Sequence, residues 1–307
     1  MVREKNRDQR EARSNRKRRH KYYWKDRLVA TGYLLPSLLG VMVFFVVPFL
    51  VVIVYAFVNN SIQMDFVGFD NFRSVLNNSA FRLAAKNTAI FSAMAVPLAV
   101  ILSLVLATML DTKIPGRSQF RTIFLSPMMV PVASVVLLWQ VLFHYNGAVN
   151  EFLAVFGVEK IDWMKSDYNR YVVLLLFLWK NLGYNMILFL AALSNIPQEI
   201  VEMATLEGAG SLKAFFVVKL RYISPTVMFV TILSLINSFK IFREVYLLTG
   251  NYPYDGLYLL QHYMNNMFRL VDYQKLSTAA LLMSAVMVVI IGLLFLIEGR
   301  YGKDIEE

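Results

Sequence analysis

Cysteine is absent from the 307 residues, which excludes disulfides, thiolate chemistry and cysteine-ligated metal. Histidine is scarce: His20, His144 and His262 stand far apart without ligand spacing, so no metal site is expected. Charge is also sparse. Charged residues make up 17% of the sequence against 57% hydrophobic ones, and the mean hydropathy is +0.51. A soluble domain of this length carries more charge and fewer long apolar runs. No Gly-x-x-x-x-Gly-Lys-Ser/Thr phosphate loop occurs anywhere. The chain is therefore not expected to be an enzyme or to bind a cofactor of its own.

What charge there is lies unevenly. The net charge is +10, and residues 1–30 hold twelve Lys/Arg against four Asp/Glu. A basic tail can bind nucleic acid. This one runs directly into a long apolar segment, where it is placed against anionic lipid headgroups, and no nucleic-acid partner is expected. The tail is too long for a cleavable signal peptide, and no small-residue cleavage site follows the apolar stretch.

About 20 apolar residues carry a helix across the hydrocarbon core. Six segments qualify: Tyr33–Val58, Asn87–Leu110, Thr122–Phe143, Tyr171–Leu193, Ile223–Leu248 and Leu276–Ile297. Their apolar runs are continuous rather than alternating, which favours helices over a barrel. The expected fold is an all-α membrane protein with six transmembrane helices. Pro48, Pro97, Pro127 and Pro131 fall inside these runs and should kink them.

Lys and Arg set the orientation. With the N-terminus inside, the cytoplasmic pieces hold 20 Lys/Arg and the outer pieces (59–86, 145–170, 250–275) hold 8. Both termini are thus expected in the cytoplasm. The expected division is a basic tail over residues 1–28, a six-span domain over 29–300 and a short tail over 301–307. Trp24, Trp139, Trp163 and Trp179 lie near proposed span ends, which suits interfacial anchoring or ordinary packing.

The loop between spans four and five, residues 195–222, is too polar for lipid and too regular for a linker. Asn195 is placed to cap a first helix that begins near Pro197 and Gln198 and runs to about Glu207. Gly208 suits a left-handed C-terminal position and Gly210 an open turn. Ser211 is placed to cap a second helix leading into span five. Ile196, Ile200, Met203 and Ala204 share one face of the first helix, and Leu212, Phe215 and Phe216 lie on the second. An apolar face at the membrane surface either packs beneath its own bundle or takes a partner.

This stretch resembles the cytoplasmic loop of the permease subunits of binding-protein-dependent ATP-binding-cassette importers. That loop reads Glu-Ala-Ala, two residues, Asp-Gly-Ala, then Phe, an Ile-x-Leu-Pro and a later Pro. Here stand Glu202, Met203 and Ala204, then Glu207, Gly208 and Ala209, with Phe215, Val218, Leu220 and Pro225 following. Met203 and Glu207 depart from the pattern, and Arg221 stands where the first proline would fall. The opening YLLPSLLGVMVFFVVPFL, the stretch FVGFDNFRSVLNN, the pair Asn87–Thr88 and the segment SFKIFREVYLLTG are similar to the maltose and glycerol-phosphate permease type.

The resemblance implies the type I importer fold, a bacterial cell membrane location and import of a carbohydrate, an oligosaccharide by preference. It also implies a second homologous permease in a heterodimer, two ATPase subunits that bind ATP and Mg, and an extracellular sugar-binding lipoprotein. The loop helix would dock on an ATPase. Its coupling residues would be Glu202, Ala204, Glu207, Gly208, Ala209, Ser211, Phe215 and Leu220, with Phe215 and Leu220 packing the second helix onto the bundle.

Charged or polar groups at bilayer depth usually face protein or water. Span four carries Lys180, Asn181, Tyr184 and Asn185, and span five carries Asn237, Lys240, Arg243 and Glu244. Asn181, Tyr184, Asn185, Asn237 and Lys240 are the candidate lining of a translocation pathway; the alternative is helix–helix hydrogen bonding or ion pairing with the second permease. Lys240 and Glu244, one turn apart, are placed to pair. Two other functions compete. One is import of a non-sugar solute such as glycerol phosphate. The other is ion-coupled secondary transport, for which the spans offer only Glu244 as a buried acid and no evident inverted repeat.

Overall fold

The computed structural model describes residues 29–112 and 115–301. The basic tail 1–28, with Trp24, and the segment 301–307 after its first residue lie outside the described residues. The chain divides into two units, one ending at Tyr55 and the other beginning at Ala56.

Helix α1 (Val29–Ala56) has a mean hydropathy of 2.9 in its most apolar window. A π-helical turn at Met42–Val46 precedes Pro48. Proline lacks the N–H that would bond four residues back, and its ring crowds that carbonyl, so the ladder widens just before it.

In the unit from Ala56 onward, α2 (Asp70–Asn77) leads into α3 (Ser79–Asp111). The Asn78 side chain caps α3 by accepting from the N–H groups of Ala80 and Phe81. This helix is 33 residues long, against the 24 expected for span two, because its capped start lies beyond the apolar run. Pro97 sits inside it without ending it.

Span three differs more. The expected single span Thr122–Phe143 is a pair of helices, α4 (Arg117–Met129) and α5 (Val132–Leu142), bent by 100°. Val130 is extended (φ −80°, ψ 131°) and Pro131 follows with φ −56° and ψ 138°. Proline disfavours the helical region for the residue before it, so the break falls there. After α6 (Ala148–Ala154) comes α7 (Asn169–Ser194), span four. The loop then forms α8 (Gln198–Leu206) and α9 (Ser211–Ala214), followed by a π turn at Phe215–Lys219. Span five is α10 (Ser224–Lys240) and α11 (Phe242–Thr249), interrupted at Ile241. Helix α12 (Leu260–Arg269) lies between spans five and six, and α13 (Tyr273–Tyr301) is span six. Among the described residues five helices are thus long and apolar enough to cross a membrane, and the bent α4–α5 pair makes a sixth if it counts as one span.

The core sits where α3, α7 and α10 meet. Val96, Val100, Met186, Phe189, Leu190, Val230 and Leu235 form one buried cluster, and Ile196 and Ile223 from either end of the loop join it. Between these helices small polar groups pair: Ser92 Oγ lies 2.8 Å from Ser238 Oγ, and Asn185 Nδ2 donates to Ser234 Oγ at 2.9 Å. Such contacts hold spans together where lipid offers no hydrophobic drive.

Gly183 on α7 brings α4 close. A Cβ there would lie 1.8 Å from the Phe124 carbonyl oxygen, so only glycine permits this approach. The segment between spans five and six is fastened to span two by the Asn87–Thr88 pair. Asn87 Nδ2 donates to the carbonyls of Asp255 and Tyr258 at 2.5 and 3.0 Å, its Oδ1 accepts from Arg170, and Thr88 Oγ1 accepts from Leu260 N–H.

Three tryptophans have packing partners within the protein. Trp139 is buried against Trp179, with ring centroids 5.2 Å apart, and Trp163 donates to Asn150 Oδ1 at 2.9 Å.

Candidate functional site

Two features combine the residue types singled out in the sequence: the elbow between spans four and five, and a polar cavity between them.

In the elbow, α8 ends at Glu207 and Gly208 takes φ +83°. Gly208 N–H donates to Thr205 O at 3.0 Å and Ala209 N–H reaches back to Ala204 O at 2.9 Å. This pair of bonds is a Schellman closure. It explains the spacing of Ala204, Gly208 and Ala209: the left-handed residue closes the helix, and the next N–H reaches the carbonyl five residues earlier. No atom lies within 4 Å of a Cβ built on Gly208, so the requirement for glycine is in the backbone alone.

The expected caps are corrected. Asn195 closes the end of α7 instead of starting α8, whose N-cap is Pro197 with no side-chain bond. Gly210, not Ser211, is the N-cap of α9, and Ser211 is its first helical residue. Proline and glycine already give the extended backbone that a helix start requires, so the polar side chains are spared.

The apolar residues of the elbow split into two sets. Ile196, Val201 and Leu220 pack into the span core. Met203 (62% exposed), Leu206 (88%), Leu212 (75%) and Phe216 (62%) face outward. Phe215 is half-buried beside Phe216, with ring centroids 5.2 Å apart. Glu202, Glu207 and Ser211 are exposed, while Ala204 and Ala209 are half-buried. Lys219 Nζ lies 3.4 Å from Asp111 Oδ2, tying the elbow to the end of α3.

The cavity has a volume of about 630 Å³, within the range that holds a small solute. Asn181, Tyr184, Asn237 and Lys240 line it, together with Lys180, Arg243 and Glu244. Asn181 Nδ2 donates to the Phe177 carbonyl at 2.8 Å, and its Oδ1 accepts from Asn237 Nδ2 at 2.9 Å. The two asparagines therefore bridge spans four and five at the cavity wall. Met128 and Val132, flanking the bend of span three, complete one side.

Two expectations do not match this geometry. Asn185 is fully buried, bonded to Ser234 and absent from the cavity lining. One helical turn from Asn181, it points between helices. Glu244 pairs with Lys180 of span four, not with Lys240 one turn away. Lys180 reaches that carboxylate across the interface between spans four and five.

Sequence reasoning missed Gly183, Met128, Val132 and Gln261. A glycine in an apolar span was a readable sign of close helix approach. Gln261 carried no such sign, since it reaches the cavity from α12, outside the spans.

Residues 99–302 match the family described as "Binding-protein-dependent transport system inner membrane component". The chain is 29% identical to the trehalose/maltose transport system permease protein MalF of Thermococcus litoralis over 280 residues, covering 89% of this chain and 95% of that protein. It is 30% identical to the sn-glycerol-3-phosphate transport system permease protein UgpA of Pectobacterium atrosepticum over 209 residues, covering 67% and 71%. A bacterial ABC transporter involved in the import of the acidic polysaccharide alginate contains a chain of the same fold, with a TM-score of 0.79 at 22% identity over 90% of this chain and 98% of that one.

Proposed function

Since the chain belongs to the inner membrane components of binding-protein-dependent transport systems, we propose that it forms half of the transmembrane path of a carbohydrate importer worked by separate ATPase subunits. In this reading its substrate is an oligosaccharide delivered by an extracellular binding lipoprotein. A second, homologous permease supplies the other half of the path, and ATP and Mg bind only to the ATPases. The chain lies in a bacterial cell membrane with both termini in the cytoplasm.

The observation that carries the reading is the elbow. Met203, Leu206, Leu212 and Phe216 form an apolar surface exposed outside the spans, and a surface of that kind calls for a protein partner. Its inner residues are locked into the same core as α3, α7 and α10. Force applied to the outer face is therefore carried into the span helices without bending a loop. Coupling needs such a rigid element with two positions. Glu202, Glu207 and Ser211 are the exposed polar groups through which a basic groove on the ATPase would fix the register. Ala204, Gly208 and Ala209 hold the turn, and Phe215 and Leu220 support it from behind.

The cavity is the second part of the path. Asn181, Tyr184 and Asn237 present amide and hydroxyl groups that suit sugar hydroxyls, beside the apolar faces of Met128 and Val132. Ion-coupled transport is disfavoured because Glu244, the one acid the sequence offered within the spans for that role, is paired with Lys180. Vesicles containing the assembled transporter, its binding protein and a radiolabelled oligosaccharide test the proposal. Uptake should require ATP on the ATPase side. Full uptake without ATPase subunits, or uptake driven by an ion gradient alone, would refute it.

A further inference from the structure

The charges around the cavity do not balance. Lys180, Lys240 and Arg243 line it against one carboxylate, Glu244. Lys180 takes that carboxylate. Glu244 is 8% exposed, so most of its surface is taken up by protein contacts. Lys240 and Arg243 are exposed on the cavity side, and neither forms an ion pair among the described residues. Two cations are thus left without an anion on the wall of a cavity between spans four and five. Within a membrane span such groups persist only when they face water or an anion.

The neutral lining adds a second constraint. The bridged pair Asn181–Asn237, with Tyr184 and Gln261, adds hydrogen-bonding groups to the lining that holds the cations. A simple inorganic anion would use few of them. A solute that carries both hydroxyls and an oxyanion would use both sets at once.

We propose that the transported solute is an acidic carbohydrate, and that Lys240 and Arg243 select it by pairing with its carboxylate or phosphate groups as it passes. Arg243 supplies a planar fork matched to two oxyanion oxygens, and Lys240 a compact point charge beside it. This assignment rests on the carbohydrate-import reading and narrows its substrate class.

The test compares three solutes in vesicles containing the assembled transporter and its binding protein: a uronate trisaccharide, a phosphorylated disaccharide and a neutral trisaccharide. Direct binding of each to the purified transporter is measured alongside. The expected result is preferential uptake of a charged solute, with the uronate and phosphate arms showing which oxyanion is used. In Lys240→Gln/Arg243→Gln the ratio of acidic to neutral uptake should fall by about tenfold or more, the order expected for losing a charge pair in a partly hydrated site. The charge-conserving variant Lys240→Arg/Arg243→Lys should keep most of that ratio. Equal handling of acidic and neutral solutes, with a ratio the Gln variant does not change, would overturn the proposal. So would loss of the second permease from the purified Gln variant, because the counter-charge would then be protein. ATP-independent uptake, or no uptake of any of the three, would instead count against carbohydrate import itself.

Discussion

Gly183 has no side chain because the Phe124 carbonyl occupies the space where a Cβ would stand. Backbone cannot yield as a flexible side chain can, so Gly183→Ala should force α7 and α4 apart and cost about 1–3 kcal/mol, the usual price of overpacking. A drop in the melting temperature of the detergent-solubilised protein would show it, larger still for Gly183→Leu; an unchanged melting temperature would contradict the packing. His262, on α12 outside the spans, makes a different prediction. Its Nδ1 accepts from Leu259 N–H, its ring meets Phe242, and burial pushes its pKa down to about 4. The unfolded chain binds the proton near pH 6.5, so between those values it holds more protons than the folded chain, and stability rises with pH. The protein should be fully stable above pH 6.5 and lose stability as the pH falls below it. In His262→Gln the melting temperature should change much less between pH 7 and pH 4.5. At this scale the sequence told residue type but not partner. Polar groups within the spans were visible, yet whether Glu244 met Lys240 or Lys180 depended on contact between distant segments. Asn185 went astray for the same reason: one helical turn decides between cavity and helix interface.

Among the elements, the elbow was the most legible and span three the least. Gly208 declared itself because a left-handed helix end has few chemical solutions, and its neighbours followed from the hydrogen bonds of that closure. Pro127 and Pro131 announced a disturbance in span three, but a 100° bend depends on α4 finding its place against Gly183, which local propensity does not encode. Caps were misplaced by one or two residues, since Pro197 and Gly210 start helices through backbone geometry and leave Asn195 and Ser211 unused. Gly208→Ala should cost about 1–2 kcal/mol of local strain, as expected for a Cβ in the left-handed region. The spans do not depend on that residue, so the variant should stay folded and membrane-inserted while ATP-driven uptake falls several-fold. Normal uptake would separate the left-handed turn from coupling.

At the scale of the whole molecule, the core connects the elbow with the cavity. In the proposed function the elbow receives motion at one end of spans four and five, and the cavity lies between the same two spans further along. Ile196, Ile223 and Leu220 pack with the helices that carry Asn181 and Asn237, so displacement of the elbow must repack the cavity wall or shift those spans as rigid rods. The absence of cysteine from the natural chain allows the most direct measurement: a single Leu206→Cys on the outward face of the elbow, probed with a membrane-impermeant maleimide. No labelling is expected from outside the cell. In inverted membranes the cysteine should react once the ATPase subunits are stripped, and become protected when they are added back. Labelling from the outside, or equal labelling with and without the ATPases, would contradict the claim that this elbow is where the transporter is driven.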